Sequence, residues 1–124
     1  MKRKIYFTSV LLSFLLVSCG NTNNYGYPSK IAFDKMGGGK ICSGTSSCYS
    51  IDINDYQGNG NAILSQGEND TIIATCDWLS VKFRKSTGAQ LKMTALPNTT
   101  GKKRTLYVTG WVDDSFADIK VIQY

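Results

Sequence analysis

The sequence predicts an all-β domain, a sandwich of two antiparallel sheets, and three observations carry that prediction. Between Cys76 and Gln123 apolar residues recur at every second position: Leu79, Val81 and Phe83, then Leu91, Met93 and Ala95, then Leu106 with Val108, then Ile119 with Val121. A side-chain period of two gives each strand one buried and one wet face, so a second sheet has to cover the first. Polar turns rich in Gly, Asn, Asp and Ser interrupt these runs at short, regular spacing, which is the pattern of a sandwich. Beyond the first twenty residues no stretch carries the spacing of a helix. A chain of 124 residues allows one domain with a core large enough to fold unaided.

The chain opens with Lys2, Arg3 and Lys4, followed by the apolar run Val10-Leu11-Leu12-Ser13-Phe14-Leu15-Leu16-Val17. That run is too short for a permanent membrane span and reads as a secretory signal over residues 1–18. Leu16-Val17-Ser18-Cys19 resembles the bacterial lipobox, which implies lipidation of Cys19 and anchorage in a membrane by several acyl chains. Gly20 after that cysteine resembles sorting to the outer membrane. Asn21-Thr22-Asn23-Asn24 lacks the acidic residues often found there in surface-exposed relatives, so either face of that membrane stays open. Residues 19–29, polar and Asn-rich, read as the lipidated cysteine with a flexible tether, and residues 30–124 as the folded domain. Without Lys2, Arg3 and Lys4 the formal charge of +5 falls to near neutrality. That argues against a nucleic-acid partner, which needs clustered positive charge.

The domain elements follow in order. Lys30 to Phe33 reads as a first strand, ended by Met36-Gly37-Gly38-Gly39. The glycine run lacks the spacing of a phosphate loop, and Ile41 stands where Ser or Thr is required. Lys40 to Ser43 and Tyr49 to Asn54 read as a hairpin, with Cys42 and Cys48 flanking the turn Ser43-Gly44-Thr45-Ser46-Ser47 and joined by a disulfide. Closing so short a loop contributes about 2 kcal/mol. Tyr56-Gln57-Gly58-Asn59-Gly60-Asn61 contains Asn-Gly, the strongest short hairpin signal. Short strands at Ala62 to Ser65 and Thr71 to Thr75 follow. Cys76, in phase with Ile72 and Ala74, reads as a buried free thiol.

Trp78-Leu79-Ser80-Val81, Asn98, Arg104 and the closing Ile119-Lys120-Val121-Ile122-Gln123 resemble the second half of a BACON domain. This is the Bacteroidetes-associated carbohydrate-binding, often N-terminal domain, whose motifs are a W-L-x-V strand, an N-to-R turn and a final V-x-Q. The resemblance covers a little under half of the chain. It implies an immunoglobulin-like sandwich in a small envelope lipoprotein that contacts glycans. The first half, with its Cys-rich and Asn/Gly-rich turns, departs from the pattern.

Chemistry-bearing groups are sparse. With no histidine, the commonest proton shuttle and metal ligand is missing and a conventional nucleophilic triad is excluded. We expect neither catalysis, nor a cofactor, nor a metal. Asp113-Asp114 reads as turn chemistry, and Trp78 as core. Tyr107 and Trp111 fall on the polar phase of their strand and should project together from one sheet face, with Asp113 at the end of the strand. Tyr107, Trp111 and Asp113 are therefore the candidate ligand-binding residues, suited to sugar rings and their hydroxyls. Asn98, Arg104 and Gln123 read as structural. The expected function is a non-enzymatic envelope lipoprotein, a glycan-binding or spacer module. The alternative is an accessory subunit docking onto a larger envelope complex.

Overall fold

The computed structural model describes residues 24–55, 62–84 and 88–124. Among these residues nine strands build two sheets that pack face to face: β1 (Lys30–Phe33), β2 (Gly38–Ser43), β3 (Ser50–Asn54), β4 (Ile63–Gln66), β5 (Thr71–Cys76), β6 (Leu79–Arg84), β7 (Gln90–Ala95), β8 (Arg104–Val112) and β9 (Ser115–Gln123). One sheet has the order β1-β9-β8-β3 and the other β2-β7-β6-β5-β4. The chain is thus an all-β sandwich, antiparallel throughout except for β1, which runs parallel to β9. No helix among the described residues is long and apolar enough to cross a membrane.

The period-two pattern does what it dictates. Leu79, Val81 and Phe83 of β6 and Leu91, Met93 and Ala95 of β7 point inward, each at most 4% exposed. They meet Val108, Ile119, Val121 and Ile53 from the other sheet, all buried. Trp78 is buried at the β5–β6 turn, and Cys76 is a buried free thiol.

β4 to β7 pair as sequence neighbours, as do β8 and β9, but the first three strands do not. β2 pairs with β7 and β3 pairs with β8, so the expected β2–β3 hairpin is a crossover between sheets. Cys42 and Cys48 are free thiols, and the expected disulfide is not formed. The physical reason is Tyr27, which is fully buried. Its ring lies where a Cβ on Gly44 would stand, within 2.6 Å of that position. Its hydroxyl donates to the Ser46 carbonyl at 2.7 Å and sits 3.8 Å from Cys48 Sγ. The segment between the two cysteines wraps around a phenol instead of closing on itself. Cys48 in turn fits over Gly110, where a Cβ would approach its sulfur to 2.6 Å. Burial pushes the Cys42 thiol up to about 11 and also raises Cys48 and Tyr27 above their ordinary values.

The same residue corrects the expected tether. From Asn24 onward the chain is docked, not free. The Asn24 side chain donates to the carbonyls of Tyr27, Pro28 and Asp118 and accepts from the Asp118 amide at 2.8 Å, continuing the edge pairing of β9 beyond β1. Residues 19–23, with the signal and Cys19, lie outside the described residues. So does 56–61. The strands on either side of it, β3 and β4, belong to different sheets.

At the opposite end, the final strand is locked by side chains. Gln123 is fully buried, yet its amide donates to the carbonyls of Asp34 and Leu96 while its oxygen accepts from Arg104 Nε at 2.8 Å. Arg104 also donates to the Pro97 carbonyl at 3.1 Å and lays its guanidinium 4.8 Å from the Trp78 ring centre. Asn98 holds the intervening turn by donating to the carbonyls of Lys102 and Tyr124 and accepting from Thr100. A buried polar group left unpaired costs about 1–3 kcal/mol, and among the described residues no buried side-chain polar atom is left so.

Candidate functional site

β8 lies in the middle of the four-stranded sheet, flanked by β9 and β3. Leu106, Val108, Gly110 and Val112 face the core, so Tyr107, Thr109 and Trp111 face outward. The register aligns three rows across that outer face. Ser50 and Phe116 flank Trp111, Asp52 and Asp118 flank Thr109, and Asn54 and Lys120 flank Tyr107. Sequence alternation places Tyr107 and Trp111 together, and the structure keeps them on one face.

The exposed end of this face is aromatic. Trp111 is 36% exposed, Phe116 45% and Tyr49 49%. The Trp111 and Phe116 rings lie 5.1 Å apart, tilted by 60°, the spacing of a favourable edge-to-face pair. The Tyr49 amide donates to the Trp111 carbonyl, and its hydroxyl donates to the Asp113 carbonyl at 3.1 Å. Rings held this way lose little freedom on binding a ligand. Below them, Asp118 accepts from the Thr109 hydroxyl at 3.3 Å and Asp52 from the Asn54 amide at 3.4 Å. A carboxylate has several lone pairs, so one such bond does not exhaust it.

Asp113 sits in the β8–β9 turn, as the Asp113-Asp114 pair suggests from sequence. It takes the left-handed φ of +53° that the tight β8–β9 turn requires, a conformation Asp tolerates better than most residues. What it contributes to the aromatic cluster is its main-chain carbonyl. The carboxylates set across the face beside Trp111 are Asp52 and Asp118. Phe116 and Tyr49 were missed in the sequence reading. Phe116 could have been found, because a two-residue turn at Asp113-Asp114 puts it opposite Trp111. Tyr49 could not, because its place depends on β3 pairing with β8.

A second concavity, about 490 Å³, is lined by Asp55, Asp77, Trp78, Leu96, Pro97, Arg104, Thr105 and Leu106. Its chemistry is already committed: Arg104 covers the Trp78 ring and is held by Gln123 and backbone carbonyls. Among the described residues no cluster of three or more His, Cys, Asp or Glu could hold a metal ion.

No protein-family model matches the chain, and no curated protein matches it. A solved structure is similar in fold: the NMR structure of a protein from Bacteroides thetaiotaomicron, with a TM-score of 0.50 and 18% identity over 79% of this chain and 81% of that one. At that identity the likeness concerns the fold alone.

Proposed function

We propose that this chain is a non-enzymatic envelope lipoprotein, anchored through Cys19, whose sandwich presents a glycan-binding face on β8. The observation that carries the reading is the exposed trio Trp111, Phe116 and Tyr49 at the end of a row containing Asp52, Thr109 and Asp118. Flat apolar rings beside hydroxyl-accepting carboxylates suit a sugar, which has an apolar face and a polar rim. The convergence of Trp78, Asn98, Arg104 and Gln123, the residues that carry the BACON resemblance, supports the same assignment. Affinity is weak on this reading, because a shallow platform desolvates little and each stacking contact contributes about 1 kcal/mol.

A second reading, an accessory subunit of a larger envelope complex, draws on β4. Among the described residues that strand pairs only with β5, and Ile63 and Leu64 on it are 75% and 54% exposed. An open apolar edge of this kind invites a strand from another protein.

The two readings separate on an array of neutral and mucin-type oligosaccharides probed with residues 24–124. The glycan reading expects retention that Trp111→Ala abolishes while the melting temperature holds. Retention on no glycan, with an Ile63→Lys variant losing a partner in pull-downs from detergent-solubilised membranes, favours the accessory subunit. Cys19→Ala should release the protein from the membrane or leave it unprocessed. A variant that still partitions into detergent like the parent would sink the lipid anchor.

A further inference from the structure

The outer face of the five-stranded sheet carries the opposite charge from the face of β8. Lys82 on β6 and Lys92 on β7 are directly opposite each other in register. Like charges so placed repel and normally destabilise a sheet. Arg84 lies two residues beyond Lys82, on the same face and opposite Thr71. All three cationic side chains are exposed. They line one hollow of about 330 Å³, together with Ile41, Thr71 and Gln90. Among the described residues no carboxylate forms an ion pair with any of them. Glu68 shares with Lys82 the lining of an adjoining hollow.

The spacing sets what could fill this hollow. Opposed residues in a sheet have Cβ atoms about 5 Å apart, and same-face neighbours along a strand stand about 7 Å apart. Three cations therefore converge on a patch the size of one or two sugar rings. Thr71 and Gln90 supply hydrogen-bonding groups at its edge. Phe83 lines the hollow but is 3% exposed with its ring in the core. Among the described residues lining it no exposed ring is available for bases to stack on, as a single-stranded nucleic acid would need. Three charges are also fewer than the six to ten phosphate contacts typical of duplex binding.

We infer that this hollow is an anion site for an acidic saccharide segment, one bearing sulfate or carboxylate groups. The Lys82–Lys92 repulsion is relieved when the ligand's oxyanion enters between them. This site is separate from the β8 face and rests on no part of the reading given for it.

The test is titration of residues 24–124 with a heparin-derived tetrasaccharide and an oligogalacturonate at 50 mM salt, with a neutral tetrasaccharide alongside. Binding is expected for at least one of the acidic probes and not for the neutral one, weakening roughly tenfold by 200 mM salt. The Lys82→Gln/Lys92→Gln pair should lower affinity at least tenfold. It should also raise the melting temperature by about 2 °C as the repulsion is removed. Lys102→Gln/Lys103→Gln and Trp111→Ala should bind as the parent does. Equal losses from the Lys82/Lys92 and Lys102/Lys103 pairs would mean only diffuse attraction and overturn the site. Failure of both acidic probes would overturn it too. Association with phosphatidylglycerol vesicles in the absence of saccharide binding would assign the patch to a membrane surface instead.

Discussion

The chain has two tryptophans in opposite situations, and their difference separates what holds this fold from what it offers to a ligand. Trp78 is 7% exposed, roofed by the Arg104 guanidinium and enclosed by the network that ties Gln123 to Asp34 and Leu96. Trp111 is 36% exposed, with Phe116 against its ring and its carbonyl bonded by the Tyr49 amide. Around Trp78 the Arg104 guanidinium and the Gln123 amide are already committed to each other and to main-chain carbonyls, so drawing on them for a ligand costs stability. Around Trp111 the rings are exposed and the carboxylates stand on the outward face, so the face can take a ligand at little structural cost. Aromatic residues alone mark neither case; the pairing of their neighbours does.

That contrast can be broken most severely at Trp78. Trp78→Ala should lower stability by about 3–5 kcal/mol, the range for truncating a buried aromatic, as read from denaturant unfolding. Arg104→Ala comes next. It leaves Gln123 Oε1 buried without its donor and strips the cation from the ring, so about 2–3 kcal/mol is expected by the same method. A loss under 0.5 kcal/mol in either case would mean the network is ornamental.

A smaller effect belongs to the Tyr27 end. Cys42 titrates near 9 in the unfolded chain and near 11 when folded, so the native state holds its proton longer. Its contribution is complete below pH 9 and is lost as the pH rises from 9 through 11. Unfolding midpoints should therefore hold steady up to pH 9 and fall beyond it, more steeply than in Cys42→Ala. Identical alkaline slopes for the two proteins would contradict the assignment. Trp111→Ala is expected to change stability least, by under about 1 kcal/mol, since it forfeits mainly one exposed aromatic pair.

How much could be read in advance follows from how local each feature is. The strands were legible because alternation is written residue by residue, as in Leu79-Ser80-Val81-Lys82-Phe83. Pairing was legible only where chain neighbours pair, from β4 to β7 and in β8–β9. Where the chain crosses between sheets, the same turn residues appear: Ser43 to Ser47 and the Asn-Gly of 56–61 look like hairpin turns. The parallel β1–β9 pair joins two ends of the domain that no local pattern connects. Tyr27 was hidden for another reason. Its neighbours Asn24, Gly26 and Pro28 have tether composition, and one buried phenol outweighs it. In the candidate site, period two places Tyr107 and Trp111, but Asp52 and Tyr49 arrive only through the β3–β8 register.

The most direct test of the central claim uses the two tryptophans as their own reporters. Two single-tryptophan proteins, Trp78→Phe and Trp111→Phe, would be titrated with the neutral oligosaccharide best retained by the parent on the array, following intrinsic fluorescence. The account predicts a saturable change in emission from the Trp78→Phe protein, in which Trp111 is the only indole, with Trp111→Phe silent and weakened in binding. A response from Trp78 alone, with Trp111 indifferent, would contradict it and move the ligand to the opposite end of the sandwich.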